Sequence, residues 1–124
     1  MNQIATNQAP AAIGPYCQAV VHNGMVYTSG QIPLDPATGS VTGTDIAQQA
    51  DQVMRNLEAV LKAAGSDLTK VVKTTCFLAD MQDFAPFNEV YSRYFTGKPA
   101  RSCVAVRTLP KNVLVEVECV AVVE

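Results

Sequence analysis

The chain has 124 residues, of which 48% are hydrophobic and 16% charged, and its formal net charge is -2. This length suits one domain, residues 1–124, with a core of its own, and the composition excludes a disordered or fibrous protein. The nine Lys and Arg residues form no basic run, so we expect no nucleic-acid partner. We find no signal peptide and no apolar run of membrane-spanning length, and expect a cytoplasmic protein with reduced thiols and no membrane contact.

A β-hairpin is predicted in the first quarter of the chain. Two apolar runs, residues 17–21 and 25–29, flank His22-Asn23-Gly24. Asn-Gly between apolar runs is the strongest short-range hairpin signal, because both residues tolerate the positive φ of a tight turn. His22 then lies at the turn, and we interpret it as a solvated residue.

The clearest helix is predicted over residues 45–64. Its apolar residues fall on one stripe, as packing against a core requires: Ile46, Ala50, Val53, Met54, Leu57, Val60, Leu61 and Ala64. Its opposite face is expected to be solvated: Gln48, Gln49, Asp51, Gln52, Arg55, Glu58 and Lys62. We expect Thr44 to cap the start of this helix and Gly65 to cap its end.

After this helix, the pattern predicts a strand over residues 70–78, a helix over 83–95 and closing strands over 101–107 and 113–123. The inner stripe of the second helix is largely aromatic and typical of a core: Phe84, Phe87, Val90, Tyr91 and Tyr94. Phe87 and Asn88 lie near the start of that helix, where they can reach a ligand. We therefore keep both as candidate substrate-binding residues.

The residue pattern of the last strand predicts self-association. One face carries Val113, Val115, Val117, Cys119, Ala121 and Val123, and the other carries Leu114, Glu116, Glu118, Val120 and Val122. Both faces are largely apolar, yet two helices cover only one face of a sheet and no segment remains for the other. We therefore expect an α+β domain that forms a homo-oligomer through its uncovered sheet face.

The four cysteines, Cys17, Cys76, Cys103 and Cys119, are far apart in the sequence. They form no C-x-x-C pair, and His22 is the only imidazole, so we expect no metal site. Each lies in a predicted strand, where a free thiol packs as a small apolar group. Cys103 is the exception we make, because it shares a strand face with Arg101.

Core packing alone does not readily explain why the charged residues Arg101 and Glu116 lie within predicted strands. Arg101 is either a structural ion-pair partner or a bidentate clamp for a carboxylate, and the pattern leaves both open. Glu116 is either a surface charge or, given its apolar neighbours Leu114 and Val120, a half-buried carboxyl of raised pKa that suits a general acid or base. Together they indicate a small carboxylate substrate.

Two short segments add polar groups where strands begin or end, the usual location of sites: Gly14-Pro15-Tyr16 and Ser29-Gly30-Gln31. Gly30 belongs to no nucleotide-binding glycine pattern. No G-x-S-x-G motif occurs, so a serine-histidine-aspartate triad is not supported.

Several segments, in order along nearly the whole chain, resemble the Rid family, also called YjgF-type proteins. They are Ala-Pro-Ala-Ala-Ile-Gly-Pro-Tyr (9–16), Thr-Ser-Gly-Gln-Ile-Pro (28–33), Val-Val-Lys-Thr-Thr-Cys-Phe (71–77), Asp83-Phe84, Asn88 and Pro-Ala-Arg-Ser-Cys-Val (99–104), with Glu116 at the family's carboxylate position. The resemblance is strongest to the archetypal branch, the 2-iminobutanoate/2-iminopropanoate deaminases.

The resemblance implies a chorismate-mutase-like subunit, with two helices on one face of a mixed sheet, in a homotrimer with sites between subunits. Arg101 would hold the substrate carboxylate and Glu116 would position or activate water. The other pocket positions would be Tyr16, Ser29, Gly30, Ile32, Asn88 and Cys103. The implied reaction is hydrolysis of enamine and imine intermediates to 2-keto acids and ammonia, without a metal or organic cofactor.

One segment departs from the family pattern. Only Gly97-Lys98 separates Thr96 from Pro99, where archetypal members carry a loop about four residues longer. Because this loop leads to Arg101, pocket shape and substrate range remain open. Two alternatives stay beside the deaminase: a 2-keto acid binding or sensing module without turnover, and an RNA-cleaving translation inhibitor, which the acidic charge balance disfavours.

Overall fold

The computed structural model describes all residues, 1–124. Six strands and two helices follow in the order β1 (Asn2–Ile4), β2 (Ala19–His22), β3 (Met25–Thr28), α1 (Ile46–Ala63), β4 (Val71–Leu78), α2 (Phe84–Tyr94), β5 (Ala100–Ala105) and β6 (Val115–Val122). Single 3-10 turns occupy Leu68–Lys70, Met81–Asp83 and Pro110–Asn112. Neither helix combines the length and apolar character needed to cross a membrane.

The strands form one mixed sheet in the order β1-β2-β3-β6-β4-β5, and only the β4–β5 pair is parallel. Both helices pack on the same face, which confirms the predicted α+β domain. The predicted hairpin is confirmed too. Asn23 (φ 51) and Gly24 (φ 76) make its two-residue turn, and His22 beside it is exposed.

The core lies between the sheet and α1. The apolar stripe predicted for this helix is buried throughout, and Gly65 (φ 84) ends the helix as expected. The predicted N-cap is wrong by one residue, because the Asp45 side chain, not that of Thr44, accepts the backbone N–H of Gln48. Cys76 and Cys119 are buried in this core, as predicted.

Two expectations about individual side chains are wrong. Gln49 is only 6% exposed, because its Oε1 accepts the N–H of Leu114 at 2.8 Å and its Nε2 donates to the carbonyl of Gly43 at 3.2 Å. Phe87 is fully buried and packs against Tyr91, with ring centroids 5.8 Å apart. Phe87 therefore belongs to the core and does not reach a ligand.

The second face of the sheet carries no helix. Tyr27 pairs with Val120, and Val104 with Phe77, so these four side chains share this face. Tyr27 and Val104 are each 47% exposed. We call this surface the open face, and the predicted apolar face without cover is confirmed.

Candidate functional site

A cavity of about 490 Å³ lies where β3 ends against β6, and Glu116 is its one carboxylate. We call it the Glu116 pocket. Four predicted site residues line it with Glu116: Tyr16, Ser29, Gly30 and Ile32. Exposed Lys111, which sequence reasoning missed, supplies its one cation.

Backbone pairing holds the segment after β3 against β6. The Gln31 N–H donates to the Val117 carbonyl at 2.9 Å, and the Val117 N–H donates back at 3.1 Å. The Ser29 hydroxyl donates to the Cys17 carbonyl at 2.6 Å, which ties the same segment to the residues just before β2. Gly30 is thereby pressed onto Glu116, so closely that a Cβ atom at position 30 would lie 2.0 Å from Glu116 Oε2. Only glycine leaves room for the carboxylate here.

The Glu116 carboxyl has a raised pKa. Burial is the main cause, because it disfavours the charged form, and the neighbouring charge of Glu118 adds to it. Partial burial of this carboxyl was predicted from its apolar neighbours and is confirmed. A carboxyl of this kind holds its proton at a higher pH than an exposed glutamate and can both give and take one.

Two buried amides support the walls of this pocket, and both escaped sequence reasoning. Asn56 donates from Nδ2 to the carbonyls of Ile32 and Leu34 at 3.2 and 3.0 Å. Gln18 accepts the Thr6 N–H at 2.7 Å and donates to the Pro10 carbonyl at 2.7 Å. A signal existed for Asn56, since it lies three residues after Val53 on the inner side of α1, where a polar side chain needs a partner.

Arg101 lies beside a second cavity, of about 340 Å³, between α2 and the start of β5. We call it the Arg101 cleft. The guanidinium carbon lies 4.7 Å from the ring centroid of Tyr91 and 5.4 Å from that of Phe84, within cation–π range. Arg101 Nη1 donates to Asn88 Oδ1 at 2.6 Å, and Asn88 lines the same cleft. The side chain is therefore held on three sides.

No carboxylate pairs with Arg101. The ion pairs of the structure, Arg55–Asp51 and Lys62–Glu58, both lie within α1. Within a single copy, Arg101 therefore has no structural ion-pair partner. A half-buried guanidinium with one neutral acceptor keeps most of its five N–H donors for a ligand.

Cys103 lines neither cavity. It is half-buried, packs against the core and pairs in register with Cys76 of β4. Burial raises the pKa of its thiol, while the charge of Arg101 works in the opposite direction. The group therefore stays a thiol near neutrality, which does not suit a nucleophile.

Arg101 and Glu116 lie on opposite faces of the sheet. Arg101 pairs with Thr74 and Glu116 pairs with Phe77, and residues three apart on β4 point to opposite sides. Thr74 is fully buried and hydrogen-bonded to Tyr91 of α2, so its side is the one covered by helices. Within a single copy, Arg101 and Glu116 therefore cannot contact the same ligand.

Comparison with known proteins identifies the family. The model of the Endoribonuclease L-PSP family matches residues 6–123, so the chain belongs to that family. It is 51% identical to the 2-iminobutanoate/2-iminopropanoate deaminase of Salmonella typhimurium, over 96% of this chain and 95% of that protein.

Two solved structures agree with this assignment. The YjgF gene product of E. coli has a TM-score of 0.94 and 48% identity, and covers 98% of both chains. E. coli TdcF with bound serine has a TM-score of 0.95 and 44% identity, and covers 100% of both chains. The resemblance to YjgF-type proteins is confirmed.

Proposed function

We propose that this protein hydrolyses enamine and imine intermediates, 2-aminoacrylate/2-iminopropanoate and 2-aminocrotonate/2-iminobutanoate, to 2-keto acids and ammonia. The observation that carries the proposal is Arg101, a guanidinium held by Asn88 and two aromatic rings but paired with no carboxylate. Such a group is prepared for the carboxylate that all these substrates share. The deaminase name of a relative 51% identical supports the choice of reaction.

The chemistry needs one anchored carboxylate and one proton-transfer group. Protonation of the enamine carbon gives an iminium ion. Its carboxylate accepts two hydrogen bonds from the N–H groups of Arg101. Water then adds to the iminium carbon while Glu116 takes its proton, which gives a carbinolamine. Return of that proton to nitrogen, together with loss of the hydroxyl proton, breaks the C–N bond, releases ammonia and leaves the 2-keto acid. The proton lost from the hydroxyl balances the one taken up at the enamine carbon. Orientation and one acid/base group supply the catalysis, without a metal or organic cofactor.

The complete site requires two copies of the chain. Because Arg101 and Glu116 lie on opposite faces, we propose a homotrimer in which the Arg101 cleft of one copy meets the Glu116 pocket of the next. The open face offers the apolar surface for this contact, with Tyr27 and Val104 each 47% exposed. Arg101 stands on β5, an edge strand of the sheet, where a neighbour can reach it.

Turnover is tested by generating 2-aminoacrylate with a serine dehydratase and following 2-keto acid release with and without this protein. Arg101→Ala is expected to lose most turnover and 2-keto acid affinity, whereas Glu116→Ala loses turnover more than affinity. Arg55→Ala is the matched control, since that arginine is exposed and paired within α1. Full activity of Arg101→Ala would refute the proposal that Arg101 binds the substrate carboxylate.

The shared site is tested by mixing the two inactive variants. In trimers reassembled from equal amounts of Arg101→Ala and Glu116→Ala, about a quarter of the sites combine an intact arginine with an intact glutamate from the neighbour. We expect activity to return to roughly that fraction. No recovery in mixed trimers, or a monomer in light scattering of the wild type, would contradict the intersubunit site.

A binding module without turnover is the second candidate, favoured by the serine bound in the TdcF structure. It predicts that 2-keto acids bind, that Arg101→Ala abolishes this binding, and that keto acid release in the coupled assay is not accelerated. RNA cleavage, which the family description names, finds no support in the charge, because the net charge is -2 and basic residues form no run.

A further inference from the structure

The Arg101 cleft contains a second cation, Lys98, to which the proposed reaction gives no role. The other polar groups that line the cleft are neutral, namely the side chains of Asn88, Ser92 and Thr96 beside the Tyr91 ring, and no Asp or Glu lines it. Lys98 pairs with no carboxylate, since both ion pairs of the structure lie in α1. Two cations therefore face one cleft without a counter-charge from the same copy.

The backbone keeps Lys98 close to Arg101. Lys98 lies in the short connection between α2 and β5, and its N–H donates to the Phe95 carbonyl at 3.2 Å. Its φ of 52 is in the left-handed region that non-glycine residues rarely adopt, and the ring of the next residue, Pro99, fixes its own φ. Three residues span at most roughly 11 Å between Cα atoms, so both charged ends can approach one small molecule.

A cleft whose own copy supplies two cations and no carboxylate favours a ligand with two negative charges. Each added exposed ion pair contributes up to about 1 kcal/mol, which corresponds to roughly fivefold in affinity, and salt weakens it. We infer that the Arg101 cleft accepts a second acidic group beside the substrate carboxylate, so that the protein binds dicarboxylic 2-keto acids and their imines more tightly than monocarboxylic ones of equal length. This inference rests on the proposed function, because it takes Arg101 as the clamp of the first carboxylate.

Calorimetry with two keto acids of equal chain length tests the inference. 2-Oxoglutarate and 2-oxopentanoate differ in the terminal carboxylate. We expect the wild type to prefer 2-oxoglutarate by roughly fivefold at low salt. Lys98→Gln is expected to abolish this preference while 2-oxopentanoate affinity stays within about twofold. Lys62→Gln, an exposed lysine on α1, is the matched control and keeps the preference.

Other outcomes overturn the inference. Equal affinity of the wild type for the two acids would show that the cleft has no site for a second negative charge. An equal loss for both acids in Lys98→Gln assigns Lys98 to the first carboxylate instead. Either result leaves the deaminase proposal intact, because that proposal fails only if 2-aminoacrylate turnover is absent or Arg101→Ala is fully active. If neither acid binds the wild type, the inference fails together with the clamp.

Discussion

Replacing Gly30 with alanine is expected to move the Glu116 carboxylate and slow turnover without unfolding the protein. The added Cβ would lie 2.0 Å from Oε2, 2.8 Å from Cδ and 3.1 Å from Cγ of Glu116. Gly30 does not adopt the left-handed backbone conformation, so alanine is tolerated by the main chain itself. The carboxylate is the end of a flexible side chain, and it is the group that must yield.

The size of the effect follows from these distances. Ordinary contact begins at 3.4 Å, so the carboxylate oxygen has to retreat by about 1.4 Å. A misplacement of about 1 Å in a catalytic group costs on the order of 100-fold in rate. We therefore expect kcat/KM to fall about 100-fold, or roughly 2.7 kcal/mol in the barrier. The 2-keto acid affinity should change little, because in the proposed site the substrate carboxylate is held by Arg101 of the neighbouring copy.

The coupled dehydratase assay measures kcat/KM, and a double-mutant cycle with Glu116→Gln provides the control. If Gly30→Ala acts only through the carboxylate, it has no further effect once Glu116 is already glutamine. A double variant that is again about 100-fold slower than Glu116→Gln would refute this reasoning. A thermal unfolding midpoint well below that of the wild type would refute it too, since the loss would then be structural.

Three further predictions concern stability. The raised Glu116 pKa means that the folded state holds this proton more tightly than the unfolded state does. The free energy of unfolding therefore falls as the pH rises from about 4 through the raised pKa. Glu116→Gln should raise the melting temperature at neutral pH, and this difference should vanish in acid. Asp45→Ala should cost about 1 kcal/mol in urea denaturation and Thr44→Ala under about 0.5, because only Asp45 caps α1. Tyr91→Phe should cost about 1–3 kcal/mol by leaving the buried Thr74 hydroxyl with only a long contact to the Cys76 thiol, and a Thr74→Val/Tyr91→Phe double variant should recover most of it. The first prediction fails if Glu116→Gln and the wild type melt at the same temperature at all pH values. The second fails if Thr44→Ala and Asp45→Ala lose the same stability. The third fails if the double variant recovers no stability.

The sequence by itself determined the local elements of this protein. Asn23-Gly24 specifies the hairpin because a tight turn needs positive φ at both positions. The 3.6-residue apolar period specifies α1, and the apolar character of both faces of β6 predicts the open face. The partial burial of Glu116 followed in the same way from its strand neighbours. All these features depend on residues close together in the chain.

Only the tertiary structure decided where the candidate site residues point. Period-two alternation shows which side chains share a face within one strand. Whether Arg101 and Glu116 share a face depends on how β5, β4 and β6 are paired. The buried Gln49 has its partner, the Leu114 N–H, 65 residues away in sequence, so no local pattern marks it. Likewise, Phe87 enters the core because of where α2 docks. Long-range hydrogen bonding and packing thus place Arg101 and Glu116 on opposite faces of the sheet, and the proposed site uses a second copy to bring them together.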